Sequence, residues 1–183
     1  MPSKLQDAGE AGGLRLLLLR HAKSAWPEGV TDEERPLNGR GRAAAQLMGD
    51  FLAKEKLIPD LALVSTARRT QETWAAARER LPRKPEMRSE GALYAASPER
   101  MLAVLRAVGH GPKTVLMLAH NPGTQEMALA LSGPGSDGPS RQAIAEKYPT
   151  AGLAVIDFAV AEWRDVEAGG GRLVRLVTPR SIV

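Results

Sequence analysis

Apolar residues fall in two rhythms along this chain. Short unbroken runs stop abruptly at polar clusters, and longer segments repeat an apolar side chain every third or fourth position. The run at 14–19, Leu-Arg-Leu-Leu-Leu-Leu, predicts a strand buried on both faces in the middle of a sheet, and 61–64 and 114–119 read the same way. After Asn38, a residue suited to an N-cap, Ala44, Leu47, Met48, Phe51 and Leu52 form one stripe on a helix to about residue 56. A second helix follows Ser65-Thr66 and runs to about residue 80 with Trp74 and several alanines. A short extended piece surrounds Met87. Ser97-Pro98-Glu99 then opens a third helix whose face holds Met101, Leu102, Leu105 and Val108, and Gly109 with Gly111-Pro112 stops it. A fourth starts at Thr124 and holds Met127, Leu129 and Leu131.

Residues 132–140, rich in Gly, Pro and Ser, read as a surface loop, and 153–160 and 172–177 as neighbouring antiparallel edge strands around Gly169-Gly170-Gly171. This alternation predicts an α/β fold, a three-layer α/β/α sandwich with a mostly parallel central sheet. Residues 14–183 are expected to form a single domain and residues 1–13 a flexible N-terminal tail. The polar stretch 20–37, with Pro27, Gly29 and Pro36, reads as a long loop, and loops of that length in compact domains usually carry function.

Composition narrows the chemistry. Cysteine is absent, which excludes disulfides, Cys-ligated metals and cysteine nucleophiles together. Only three histidines occur, His21, His110 and His120. The 25 basic and 21 acidic residues leave a net charge of +4, which favours anionic partners. The longest aliphatic run, 16–19, is far too short to span a bilayer, and residues 1–13 lack the apolar core of a signal peptide, so a cytoplasmic protein with no membrane partner is expected. The basic cluster Arg78, Arg80, Arg83 and Lys84 has no aromatic interleaving; it reads as a solvated helix end, and no nucleic-acid partner is expected.

Three polar clusters directly follow the three buried strands: Arg20-His21, Arg68-Arg69 and His120-Asn121. Ligands of open α/β sheets bind beyond the carboxyl ends of the strands, so these clusters should converge. Two histidines with arginines from two loops, and no evident metal-binding set, suit a phosphoryl group, because guanidinium presents a fixed fork of donors and stays charged. A neutral imidazole is available as a nucleophile near pH 7. A second histidine, if protonated, would stabilise the equatorial oxygens in place of a metal.

The segments Leu19-Arg20-His21-Ala22, Ser65-Thr66-Ala67-Arg68-Arg69-Thr70-Gln71-Glu72-Thr73 and Ala119-His120-Asn121-Pro122-Gly123 resemble, in that order, the signature segments of the histidine phosphatase superfamily. Arg35-Pro36-Leu37-Asn38-Gly39-Arg40-Gly41 and the short chain look like its phosphohistidine phosphatase branch rather than the longer phosphoglycerate mutases. The resemblance implies a phosphoglycerate mutase-like fold and a metal-independent phosphatase without cofactor. In it His21 becomes phosphorylated, Arg20 and Arg69 clamp the phosphate, His120 is the second pocket histidine, and Asn121 lies beside it. Ala22 stands where the superfamily usually has glycine, and the loop after Ser65 lacks its common proline. Anchoring that loop on its later threonine selects Arg69, which we prefer; anchoring on Ser65 selects Arg68. Glu90 occupies the linear region where relatives carry an acidic proton donor.

The implied substrate is a phosphohistidine-bearing protein. The alternatives are a small phosphomonoester, such as a sugar phosphate or nucleotide, processed by the same residues, and a non-catalytic phosphate-binding module. His110 reads as a solvated turn residue, Asp32 with Arg35 as a loop ion pair, and Trp26 as an aromatic that pins the loop 20–37 onto the core. Lys23 and Ser24 could equally touch phosphate or stay solvated.

Overall fold

The structure, a computed structural model, describes residues 13–183. Six strands form one sheet: β1 (Leu14–Arg20), β2 (Leu61–Ser65), β3 (Glu86–Glu90), β4 (Thr114–Ala119), β5 (Leu153–Phe158) and β6 (Gly171–Val177). Their order across it is β3-β2-β4-β1-β5-β6. The first four of that order run parallel to one another, and β5 and β6 are antiparallel, so the sheet is mostly parallel, as expected. The helices are α1 (Gly39–Lys54), α2 (Arg68–Arg78), α3 (Pro98–Arg106), α4 (Gly123–Leu131) and α5 (Gly138–Glu146). The proposed tail, up to residue 12, lies outside the described residues.

The uniformly apolar strands have two buried faces. Leu14, Leu16 and Leu18 of β1 pack with Val115 and Met117 of β4 against Met101 and Leu105 of α3, Met127 and Leu131 of α4 and Ile144 of α5. Leu17 and Leu19 face the opposite way with Leu116 and Leu118, against Met48, Phe51 and Leu52 of α1 and Trp74 of α2. This is the three-layer sandwich. Each fully buried leucine adds about 2 kcal/mol relative to exposure, so β1, buried on both faces, is a well-anchored strand for the residues that follow it.

Glycine lets α1 approach closely at two points. A Cβ on Gly49 would lie 2.3 Å from the Ala77 carbonyl oxygen of α2, and one on Gly41 would lie 2.0 Å from that of Lys23. The second contact, with the Asn38 amide donating to the Lys23 carbonyl at 3.0 Å, fixes the start of the helix beside the chain leaving β1. Asn38 caps α1 as expected, its Oδ1 accepting from the Gly41 amide at 2.8 Å.

Two expectations are corrected. Residues 132–140 are not loop throughout, because α5 begins at Gly138, capped by Asp137. Its buried face consists of Ser140 and Ile144 alone, too little for a legible stripe, and Gly138-Pro139 imitates a turn although proline is well suited to a first helical turn. Trp26 does not pin its loop to the core. It is 78% exposed and lies under the Arg35 guanidinium, 3.1 Å from the ring centroid. The edge strands end and start near expectation, β5 stopping at Phe158. Among the described residues no helix is long and apolar enough to cross a membrane.

Candidate active site

Because β2, β4 and β1 are adjacent and parallel, the residues at their carboxyl ends meet on one rim of the sheet. The His21 amide donates to the Ala119 carbonyl at 3.2 Å, which ties the two histidine-bearing chain ends together. The imidazole rings of His21 and His120 stand 5.4 Å apart between centroids.

The His21 ring is oriented by its own neighbour. Nδ1 lies 2.7 Å from the Ala22 carbonyl oxygen. A carbonyl only accepts, so Nδ1 carries the proton and Nε2 keeps the free lone pair. Ala22 is in turn held by its amide, which donates to Thr73 Oγ1 at 3.0 Å, while that hydroxyl donates to the Arg69 carbonyl at 2.6 Å. Ala22 is fully buried against Leu37, Ala45, Ala76 and Ala151, so the packing admits its methyl where the superfamily usually has glycine. Burial, together with the nearby guanidiniums of Arg69, Arg20 and Arg35, pushes the His21 pKa down to about 4. The ring is therefore neutral at physiological pH.

His120 is fixed from both sides. Arg69 Nη2 lies 3.2 Å from Nδ1, and guanidinium only donates, so the His120 proton sits on Nε2 and is donated to Ser65 Oγ at 2.7 Å. Burial, then the neighbouring His21 and Arg69, lowers its pKa to about 3. The second histidine is thus neutral in the unliganded site rather than cationic; a bound dianion would favour its protonated form.

Arg69 is buried and is also gripped by the long loop, donating from Nη1 to the Asp32 carbonyl at 2.6 Å and from Nη2 to Asp32 Oδ2 at 3.1 Å. Tyr94 donates to the same carboxylate oxygen at 2.6 Å, and Arg35 Nη1 to the other at 3.1 Å. Principally through the Tyr94 hydrogen bond, with further bonds from Arg35 and Arg69, the Asp32 pKa falls to about 2. Arg35 also reaches the Ala25 carbonyl and Ser24 Oγ, so Asp32 and Arg35 form more than a local ion pair.

Arg20 Nη1 donates to the Tyr148 carbonyl at 2.8 Å, and Asn121 Nδ2 lies 3.3 Å from the same oxygen. Burial lowers the Arg20 pKa from a value so high that the group stays charged. His21, Arg20, Arg69, His120 and Asn121 are therefore brought to one rim. Arg68 is not among them, since its half-exposed side chain pairs outward with Glu72 at 2.8 Å. Glu90 is also elsewhere: it ends β3 and lines a separate cavity of about 310 Å³ with Arg88, Arg100 and Val104. Sequence reasoning missed Ser65 as a partner of His120, and Asp32 and Tyr94 as the buttress of Arg69.

The segment 65–73 explains itself as a brace. Thr70 Oγ1 and Gln71 Nε2 both donate to the Ser65 carbonyl at 2.8 Å, and Glu72 Oε2 accepts from the Leu37 amide at 2.8 Å. Polar residues between strand and helix thus tie β2, α2 and the long loop into one frame around Arg69. Among the described residues no group of three or more His, Asp or Glu is placed to hold a metal ion.

The family model for branch 1 of the histidine phosphatase superfamily matches residues 16–93. An uncharacterised protein of Mycobacterium tuberculosis strain H37Rv is 37% identical over 163 residues, covering 88% of this chain and all of that one. A protein of Agrobacterium tumefaciens provisionally named phosphohistidine phosphatase SixA is 30% identical, with a TM-score of 0.76, over 91% of this chain and 98% of that one. The chain belongs to the histidine phosphatase superfamily. A second structure, from Nakamurella multipartitia and provisionally given the same name, is 27% identical with a TM-score of 0.81, covering 92% of this chain and 98% of that one. This histidine phosphatase is accordingly a phosphatase of the hydrolase class, and its fold matches those of the SixA structures.

Proposed function

We propose that this histidine phosphatase removes the phosphoryl group from phosphohistidine on a protein, passing it through His21, and that residues 14–183 act as one catalytic domain. Nε2 of His21 attacks phosphorus in line. The P–N bond to the substrate imidazole breaks, its electrons leave with that imidazole, and solvent supplies the proton the imidazole takes. Water then attacks the His21 adduct, the P–Nε2 bond breaks with its electrons returning to Nε2, and inorganic phosphate departs while the surplus proton goes to bulk water. Arg20 and Arg69 clamp the transferring oxygens, and His120 faces them once it takes a proton in the presence of the dianion. Asn121 holds the Tyr148 carbonyl beside Arg20.

The observation that carries this reading is the tautomer and charge of His21: neutral, with Nδ1–H spent on Ala22 and Nε2 left free. The choice of leaving group rests on Asp32. This carboxylate at the site is held ionised and acts as an acceptor for Arg69, so it is a poor donor of a proton to an alkoxide. Glu90 lies on a different cavity. An imidazole leaving group needs far less help of that kind. Turnover in EDTA of a phosphohistidine-bearing phosphotransfer protein, compared with sugar phosphates and nucleotides, tests the reading. Preference for the phosphoprotein by at least tenfold in kcat/KM is expected, and equal or better turnover of an alkyl phosphate overturns it.

A further inference from the structure

Arg20 also lines a cavity of about 800 Å³ that includes neither His21 nor His120 among its lining residues, and its charged lining residues are Arg20, Lys23, Arg40, Lys147 and Arg180. No aspartate or glutamate lines it. Elsewhere on this chain several surface cations are paired, as in Arg68–Glu72, Arg83–Asp60, Arg88–Glu86, Arg164–Glu162 and Arg172–Asp157. Among the described residues none of the five cavity cations makes such a pair. Like charges gathered without counter-charges repel one another in the free protein, and that repulsion is relieved when an anion enters.

The cavity is built, not incidental. Four separate segments wall it: the chain after β1, the first turn of α1, the connection from α5 to β5, and the residues following β6. Lys23 and Arg40 are held together by the close approach of Gly41 to the Lys23 backbone. The wall at 147–152 is locked to the catalytic strand, since the Ala151 amide donates to the Arg20 and His21 carbonyls at 3.1 and 3.0 Å and the Tyr148 carbonyl accepts from Arg20. Arg20 therefore forms part of both spaces, and His21 is the next residue.

We propose that this cavity is a docking subsite for acidic side chains of the phosphoprotein, which flank the phosphorylated residue while its phosphoryl group lies over His21. This rests on the phosphoprotein reading above and adds a recognition rule to it. The volume exceeds that of a single phosphate group. A chain crossing it in extended form advances about 3.4 Å per residue, so carboxylates a few positions from the phosphohistidine reach separate cations.

Two phosphohistidine peptides that differ only in Glu or Gln at the flanking positions test this. The wild-type enzyme should hydrolyse the Glu peptide with at least tenfold higher kcat/KM at low salt, and about 0.5 M salt should collapse the preference. Arg40→Ala/Lys147→Ala/Arg180→Ala, which changes exposed side chains away from His21, should erase the preference while leaving the Gln peptide unchanged. Equal turnover of both peptides by the wild type, or a preference surviving in the triple variant, overturns the subsite. If neither peptide is hydrolysed, the phosphoprotein reading falls, and inhibition of aryl phosphate turnover by the unphosphorylated Glu peptide still decides the subsite. Inhibition in the wild type but not in the triple variant supports it. No inhibition, or inhibition by inorganic tripolyphosphate alone, overturns it.

Discussion

Arg69 donates to Nδ1 of His120, and this one bond decides where the His120 proton is. The proton is forced onto Nε2 and spent on Ser65, so in the resting site His120 has no free donor. In the proposed reaction a phosphoryl dianion competes for the same Arg69 nitrogen, and release of Nδ1 would let His120 take a second proton toward the incoming oxygens.

The pH profile of kcat/KM follows from the His21 charge. An ordinary histidine nucleophile would lose activity below pH 6.5. With His21 held to about 4 and His120 taking up a proton only when the dianion binds, kcat/KM corrected for the ionisation of the substrate phosphate should rise rather than fall as pH drops from 8 to about 5, and show an acid limb only near 4. An enzyme-derived limb near 6.5 would show that the ring is not desolvated in this way.

Stability should respond to acid in the same direction. His21 and His120 have folded pKa values below the ordinary histidine value, so the unfolded chain binds more protons as pH drops through 6.5. Stability is full above that point and is lost progressively down to about 4 and 3, by on the order of 3 kcal/mol for His21 alone. Asp32 adds a smaller loss between its ordinary range and about 2, discounted because its side chain is 49% exposed. Denaturant melts from pH 7 to pH 4.5 should show a clear decline, which His21→Asn should roughly halve, the remainder coming from His120.

Asp32→Asn removes the charge that orients Arg69 but leaves an acceptor in place. We expect kcat to fall about tenfold through loss of positioning. KM should not rise, because one negative charge fewer near the pocket favours an anionic substrate. A raised KM with normal kcat would mean that Asp32 serves binding instead.

Much of this was legible from residues alone, and the failures share a cause. The strands before His21, Arg69 and His120 announce themselves because a strand buried on both faces must be apolar throughout, so the first polar residues after it stand out. Asp32 did not, since its partners Arg69 and Tyr94 are 37 and 62 positions away and its short-range pairing with Arg35 accounted for it. Ser65 was visible only as the start of the segment between strand and helix, with nothing local to link it to His120. The α5 helix was hidden by its short buried face, and the exposure of Trp26 by the absence of any periodic pattern around it.

Thr73 tests the frame beneath the nucleophile. Its hydroxyl is the acceptor for the buried Ala22 amide, so Thr73→Val should cost about 1–3 kcal/mol in stability through an unsatisfied donor. Activity should fall with it at permissive temperature, and Thr73→Ser should restore both. Parallel thermal melts and kinetics of the two variants decide the matter.

The central claim is a phosphoryl group carried on Nε2 of His21. Rapid quenching of turnover with a ³²P-labelled phosphohistidine substrate in EDTA, followed by peptide mapping, measures it directly. The account predicts an acid-labile, alkali-stable label on the peptide containing His21, absent from His21→Ala. Full hydrolysis by His21→Ala, or a label on any other residue, would contradict it.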